Sequence, residues 1–163
     1  MRYPARILIS LYLFAAAFLL TGCIDKTIYP ATDLEIVSVV PYALIPTATD
    51  TASLPAAQIN FKSLSKVPCN LKSYSITYYT AQGEEIAALT LPQTSIETKI
   101  DAETEVSVEI RPYTSRVIDL LELSSSQISP IMARIKLSFY DYNGNWLERE
   151  ANCLLYQYSE AAE

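Results

Sequence analysis

"IMARIKLSFYDYNGNWLEREANCLLYQY", residues 131–158, is the stretch on which the fold turns. Apolar side chains fall at every second position before its polar centre (Ala133, Ile135, Leu137, Phe139) and again after it (Leu147, Ala151, Cys153, Leu155). A period of two puts each set on one face of a strand, so two strands are predicted around "DYNGN". With Tyr142-Asn143-Gly144 as a three-residue loop and Gly144 in the left-handed conformation, Asp141 stands opposite Asn145. Odd residues then face odd ones: Leu137 opposes Arg149, Ile135 opposes Ala151, and Ala133 opposes Cys153. On the other face Tyr140 meets Trp146, Ser138 meets Glu148 and Lys136 meets Glu150; the aromatic and opposite-charge pairs contribute roughly 0.2–1 kcal/mol each. A two-residue Asn-Gly loop would slip the register by one and lose the agreement on both faces. Arg149 alone breaks the apolar face, and its long stem is expected to pass the sheet rim near the turn.

The same period continues toward the amino terminus. "LEIVSVV" (34–40) ends at Pro41, and "AQINFKSLS" (57–65) alternates Ala57, Ile59, Phe61 against Gln58, Asn60, Lys62. "NLKSYSITYYT" (70–80) sets Tyr74, Ile76 and Tyr78 on one face. "AQGEE" turns at Gly83, and "IAALTL" (86–91) is predicted to return as a strand. "EVSVEI" (105–110) alternates up to Pro112. "SRVIDLLELSSS" departs from the pattern: Val117, Leu120 and Leu121 recur at three and four residues, the spacing of a short helix across one end of the sheets. Seven strands in about 125 residues, with no helix long enough to cover a parallel sheet, predict an all-β antiparallel sandwich spanning 34–158. The strand pattern resembles Ig-like and fibronectin-type-III-like domains in architecture. The Ig hallmark of two cysteines framing a buried tryptophan is not met, because Trp146 lies only seven residues before Cys153 on the same hairpin.

The amino terminus has a different composition. Arg2 and Arg6 precede an apolar run from Ile7 to Leu20, broken only by Ser10, and no acidic residue occurs before Asp25. This is the layout of a signal peptide. At 14 residues the run falls short of the roughly 17–25 needed to cross a bilayer core. Leu20-Thr21-Gly22-Cys23 closes it, and this tetrapeptide resembles the lipobox of bacterial lipoproteins. The resemblance implies cleavage between Gly22 and Cys23, a diacylglyceryl group on the Cys23 thiol and acylation of the new amino terminus. It further implies that 1–22 is removed and that 23–33 is a lipidated tether; 159–163, after the last strand, is expected to be a short tail. Ile24, where an aspartate would retain the protein at the inner membrane by enterobacterial sorting, implies the outer membrane. Acyl chains contribute about 0.8 kcal/mol per buried methylene, so several chains make a stable anchor.

Processing would leave 141 of 163 residues, enough for one domain with its own core. Loss of two arginines takes the formal charge from −6 to −8, which disfavours nucleic acid and anionic surfaces. Only Gly83 and Gly144 would remain of three glycines, too few for a phosphate-cradling loop. Cys69 and Cys153 would remain beside the lipidated cysteine; in an exported protein they either form a disulfide or lie buried as free thiols, and the sequence leaves both open.

Histidine is absent, which excludes triads with an imidazole base and His-ligated metals. Ser63-Leu64-Ser65-Lys66 matches the S-x-x-K pattern of penicillin-recognising enzymes, but it follows a strand and lacks the companion motifs, so it reads as a polar strand end. Asp141-x-Asn143-x-Asn145 spaces oxygen ligands as calcium loops do, yet its glycine stands at position four and position twelve is Asn152, so a hairpin turn accounts for it. Glu84 with Glu85, and Glu148 with Glu150, read as solvated surface. No catalytic residue, metal or cofactor is expected. The remaining candidate is aromatic: among the tyrosines at 74, 78, 79, 140, 142, 156 and 158, an outward face of Tyr140, Tyr142 and Trp146 suits a sugar ring or a protein partner. The expectation is therefore a membrane-anchored extracytoplasmic lipoprotein, acting as a non-enzymatic interaction or accessory module with an envelope protein as partner. A saccharide- or lipid-binding lipoprotein is the alternative, and a carboxylate-dependent hydrolase a remote one.

Overall fold

The computed structural model describes residues 30–46, 54–123 and 130–157. The predicted signal segment, the lipobox-like 20–23 with Gly22 and Cys23, the predicted tether as far as Tyr29, Tyr158 and the carboxy-terminal 159–163 lie outside the described residues. The body begins at Thr32. Eight strands are described: β1 (Leu34–Val40), β2 (Ala43–Leu44), β3 (Ala57–Ser63), β4 (Cys69–Tyr79), β5 (Leu91–Ile100), β6 (Glu105–Ile110), β7 (Ile131–Asp141) and β8 (Trp146–Leu155). One helix, α1 (Ser115–Leu123), follows β6 among the described residues.

The strands form a three-stranded sheet, β1-β3-β6, and a five-stranded sheet, β2-β8-β7-β4-β5. All pairings are antiparallel except that β2 runs parallel to β8. Consecutive strands change sheet at every step except β4 to β5 and β7 to β8, which gives the two-layer sandwich predicted from the periodicity. The inner faces meet through apolar side chains. Phe61 of β3 and Phe139 of β7 touch edge to face across the layers, with ring centroids 5.4 Å apart.

The β7–β8 pairing follows the predicted register throughout, from Tyr140↔Trp146 to Ile131↔Leu155. On β7 every odd residue from Ile131 to Asp141 is buried and every even one is partly exposed. The predicted helix is also present. Thr114 caps it by accepting the Val117 N–H on its hydroxyl at 3.3 Å, and Val117 and Leu121 are buried.

Two expectations change. The strand count is eight, not seven, because Ala43–Leu44 adds a two-residue parallel strand on the open edge of β8; the Tyr42 and Leu44 carbonyls accept the Leu154 and Tyr156 N–H groups. Within the set of seven, the partner of β4 is Leu91–Ile100, and half of the predicted 86–91 strand is a 3-10 turn at Ala87–Leu89. β5 escaped the period rule because it is an irregular edge strand. Its register with β4 shifts twice, Pro92 cannot donate to a ladder, and Pro92 to Ser95 are exposed.

A further bulge lies in β4. Pairing with β7 shifts between Leu71 and Ser73, so Lys72 is the extra residue. Before it Cys69 and Leu71 point inward; after it Ile76 and Tyr78 do. Hence the face predicted for Tyr74, Ile76 and Tyr78 is the inner one, with Tyr74 at its margin.

Cys69 and Cys153 are both buried and free, which closes the disulfide alternative. Cys69 lies beside Asp141 of β7, whereas Cys153 lies beside Ala133 of the same strand. At about 3.4 Å per residue these positions are roughly 27 Å apart, and a disulfide needs Cα atoms within about 7 Å. Burial pushes the Cys153 thiol up to about 12; burial, and then the Asp141 charge, pushes Cys69 up to about 11.

Candidate functional site

One end of the sandwich gathers the β7–β8 turn, the β3–β4 loop and the point where the body begins. Asp141 organises it. Its side chain is fully buried, and its Oδ1 accepts the Asn143 and Asn145 N–H groups at 2.9 and 2.8 Å. Its Oδ2 accepts the Thr32 N–H and the Asn145 side-chain amide, both at 3.0 Å. Burial opposes the charge, but the hydrogen bonds from Asn145, Thr32 and Asn143 outweigh it and hold the carboxyl below the ordinary aspartate value. The candidate calcium motif is thus a turn whose first carboxylate is ringed by N–H donors, a field that favours an anion at its centre. Gly144 sits at φ +89°, in the left-handed region its place in the loop demands, and its N–H reaches the Asp141 carbonyl at 3.2 Å.

Thr32 is buried and donates its hydroxyl to the Val67 carbonyl at 2.7 Å, so it belongs to the body although the sequence placed it in the tether. Leu64 N–H bonds the Asp33 carbonyl, and Tyr142 N–H bonds the Pro68 carbonyl. Arg149, the misfit of the inner face, explains itself here. Its Nε donates to the Leu34 carbonyl at 2.6 Å and its terminal nitrogen pairs with Asp33 at 3.3 Å, tying β8 of one sheet to β1 of the other.

On this frame stand the predicted aromatics. Tyr140 and Trp146 are cross-strand neighbours on the outer face, with ring centroids 5.0 Å apart and planes inclined by 51°. Trp146 is 64% exposed, Tyr142 in the turn 61%, and Leu64 of the neighbouring loop 51%. The fold therefore brings Tyr140, Tyr142 and Trp146 to one end, and adds Leu64, which nothing in the local sequence marked: it follows a strand and looks like ordinary loop. Lys99 and Asp101 are ion-paired nearby at 2.7 Å; that bond and charge raise the lysine's pKa, with a smaller contribution from Tyr142.

The other tyrosines serve the fold. Tyr78 is core, and its hydroxyl donates to the Pro112 carbonyl at 2.6 Å. Tyr113 reaches the Leu44 carbonyl at 2.7 Å and accepts the Tyr156 N–H, pinning the chain before α1 to the β2–β8 edge. Tyr79 lies under the Arg134 guanidinium, 4.6 Å from ring centre to carbon.

The remaining candidates part company. Ser63 is buried and donates to the Ser65 carbonyl, while Lys66 is exposed, so the S-x-x-K pair is not a nucleophile and base. Glu148 pairs with Lys136 at 2.8 Å and Glu150 with Arg134 at 4.0 Å, a diagonal displacement from the directly opposed Lys136–Glu150 pair expected from register. A shallow groove of about 380 Å³ runs between the 3-10 turn and α1, lined by Ile86, Leu89, Leu120 and Leu123 with Arg116 and Asp119 at its rim. Among the described residues, no cluster of acidic or cysteine side chains has metal-binding geometry, and no helix is long and apolar enough to cross a membrane.

No protein-family model matches the chain, and neither does any curated protein. Among solved structures the chain is similar to a crystal structure of a candidate ApaA protein from Bordetella pertussis, at 13% identity and a TM-score of 0.47, over 77% of this chain and 94% of that one. It is also similar to the X-ray structure of a structural-genomics target, at 8% identity and a TM-score of 0.38, over 78% of this chain and 84% of that one.

Proposed function

We propose that this chain is a lipid-anchored, non-enzymatic module of the bacterial cell envelope, held at the outer membrane through Cys23, which makes its contacts through the aromatic end of the sandwich. The observation that carries the reading is the exposed Tyr142 and Trp146, with the half-buried Tyr140 against Trp146, on a hairpin locked by Asp141. Large rings held rigid before binding lose little entropy on contact, which is what an interaction surface requires. The lipobox at 20–23 supports the anchor. The engagement of Glu148 and Glu150 by basic neighbours supports a structural role for these carboxylates over the hydrolase alternative. The 51° inclination of Tyr140 and Trp146 offers no flat two-ring platform, which weighs against a stacked saccharide.

The test is a photo-crosslinking residue at position 142 in intact cells, in the natural chain and in a Cys23→Ala variant. Adducts formed at position 142, absent from a control at Gln93 on the β5 edge and lost with Cys23→Ala, are the expected result. Equal labelling at 142 and 93, or labelling indifferent to Cys23, would sink the reading.

A further inference from the structure

We propose that the aromatic end meets the lipid bilayer itself: Trp146, Tyr140, Tyr142 and Leu64 form a headgroup-level contact that stands the sandwich upright on the membrane to which Cys23 is fastened. This rests on the lipid anchor proposed above and names the partner of the same surface.

Chain reach sets the orientation. Asp141 holds the Thr32 N–H at the aromatic end. From Cys23 to Thr32 the chain makes nine residue steps, which span at most about 32 Å when fully extended. β7 makes ten steps from Ile131 at the far end to Asp141 at the aromatic end, about 34 Å at roughly 3.4 Å per residue. With the far end on the membrane, even a fully straight leash would barely bring Thr32 to its place. With the aromatic end on the membrane the leash is slack and loses little conformational freedom.

The side chains suit the place. Indole and phenol rings have an apolar body and one polar N–H or O–H, and they settle where hydrocarbon gives way to headgroups. Trp146, Tyr142 and Leu64 are each more than half exposed, while the backbone beneath them is cross-tied to Thr32, Asp33 and Pro68. Of the described basic groups here Arg149 is paired with Asp33 and Lys99 with Asp101, which leaves the exposed Lys66 beside Leu64, in a chain of net negative charge. With one free lysine against a net negative chain, the contact relies on the rings more than on anionic lipid. Zwitterionic phosphatidylethanolamine suffices, and added salt does not dissolve the contact.

Trp146 is the sole tryptophan of the chain, so its fluorescence reports on this surface alone. Full-length protein purified from cell membranes is reconstituted into phosphatidylethanolamine vesicles with brominated acyl chains, and the intact mass of the same sample is read first. The expected result is an acylated chain lacking residues 1–22 whose emission falls by about half in brominated lipid, as for an indole at the interface. A Trp146→Tyr, Tyr42→Trp double variant, which moves the reporter to an exposed site at the far end, should keep its emission. An acylated chain with unquenched Trp146, or with the Tyr42→Trp reporter quenched equally, overturns the docking while the anchor stands, and returns the aromatic end to a protein partner. An unprocessed chain without lipid removes the leash and overturns both.

Discussion

Asp141 is the residue whose removal should be felt most widely. Replacing it with alanine removes the acceptor of the Thr32, Asn143 and Asn145 N–H groups, of which the buried Thr32 donor left unsatisfied costs about 1–3 kcal/mol by itself. An Asp141→Ala variant is expected to lose several kcal/mol, read as a lower urea midpoint. The pH dependence follows from the lowered pKa. A carboxyl that titrates lower when folded than when unfolded contributes its full stabilisation above the unfolded value, about 3.9, and loses it as pH falls through the folded value. The stability difference between the natural chain and Asp141→Asn should therefore be level down to about pH 4 and shrink in more acidic solution; a difference independent of pH would contradict the ionised network. The two buried thiols yield a simpler prediction. Neither Cys69 nor Cys153 should react with a thiol reagent in the native protein, and unfolding without reductant should expose both. Gly144 and its loop were legible from sequence because positive φ nearly demands glycine. The second role of Asp141 was not, since its partner Thr32 is 109 residues away.

Among elements, the β7–β8 hairpin was readable because adjacent strands joined by a short turn have one register that serves both faces. Strand β5 was not, because bulges and Pro92 on a sheet edge erase the period of two. Arg149 shows the limit from the other side: sequence identified it as a misfit on the inner face, and only the fold shows that the misfit is a clasp to the Leu34 carbonyl and Asp33. Hydrogen bonds from a charged donor contribute about 1.5–3 kcal/mol, so Arg149→Met should lower stability by that amount. Because the lost bonds hold β1, amide hydrogen exchange should accelerate in Leu34–Val40 more than in β4 or β7. Uniform acceleration across both sheets would mean that Arg149 acts on global stability alone.

For the whole molecule the question is what holds one sheet on the other. Phe61 and Phe139 sit in different layers, 78 residues apart in the chain, and meet edge to face at 5.4 Å. Such pairs contribute about 0.5–1.5 kcal/mol beyond the area they bury. A double-mutant cycle with Phe61→Leu and Phe139→Leu should return a coupling of that size, while Phe61→Leu with the outward Tyr79→Leu should be additive. A vanishing Phe61–Phe139 coupling would show that the layers are joined by apolar area without specific ring geometry.

The sequence by itself determined which residues lie inward on most strands, the register of the closing hairpin, the single short helix, the all-β class and the placement of Tyr140 and Trp146 side by side. Each follows from local periodicity, which a strand or helix converts directly into a face. Only the tertiary structure decided that β4 pairs with 91–100, that Cys69 and Cys153 lie at opposite ends of one sheet, that the loop carrying Leu64 lies at the same end as the aromatics, and that Thr32 is fastened to Asp141 there. These are contacts between segments far apart in the chain, or shifts made by a single bulge residue. A period carries no information about which distant strand it will meet, and one inserted residue exchanges inside for outside for everything beyond it.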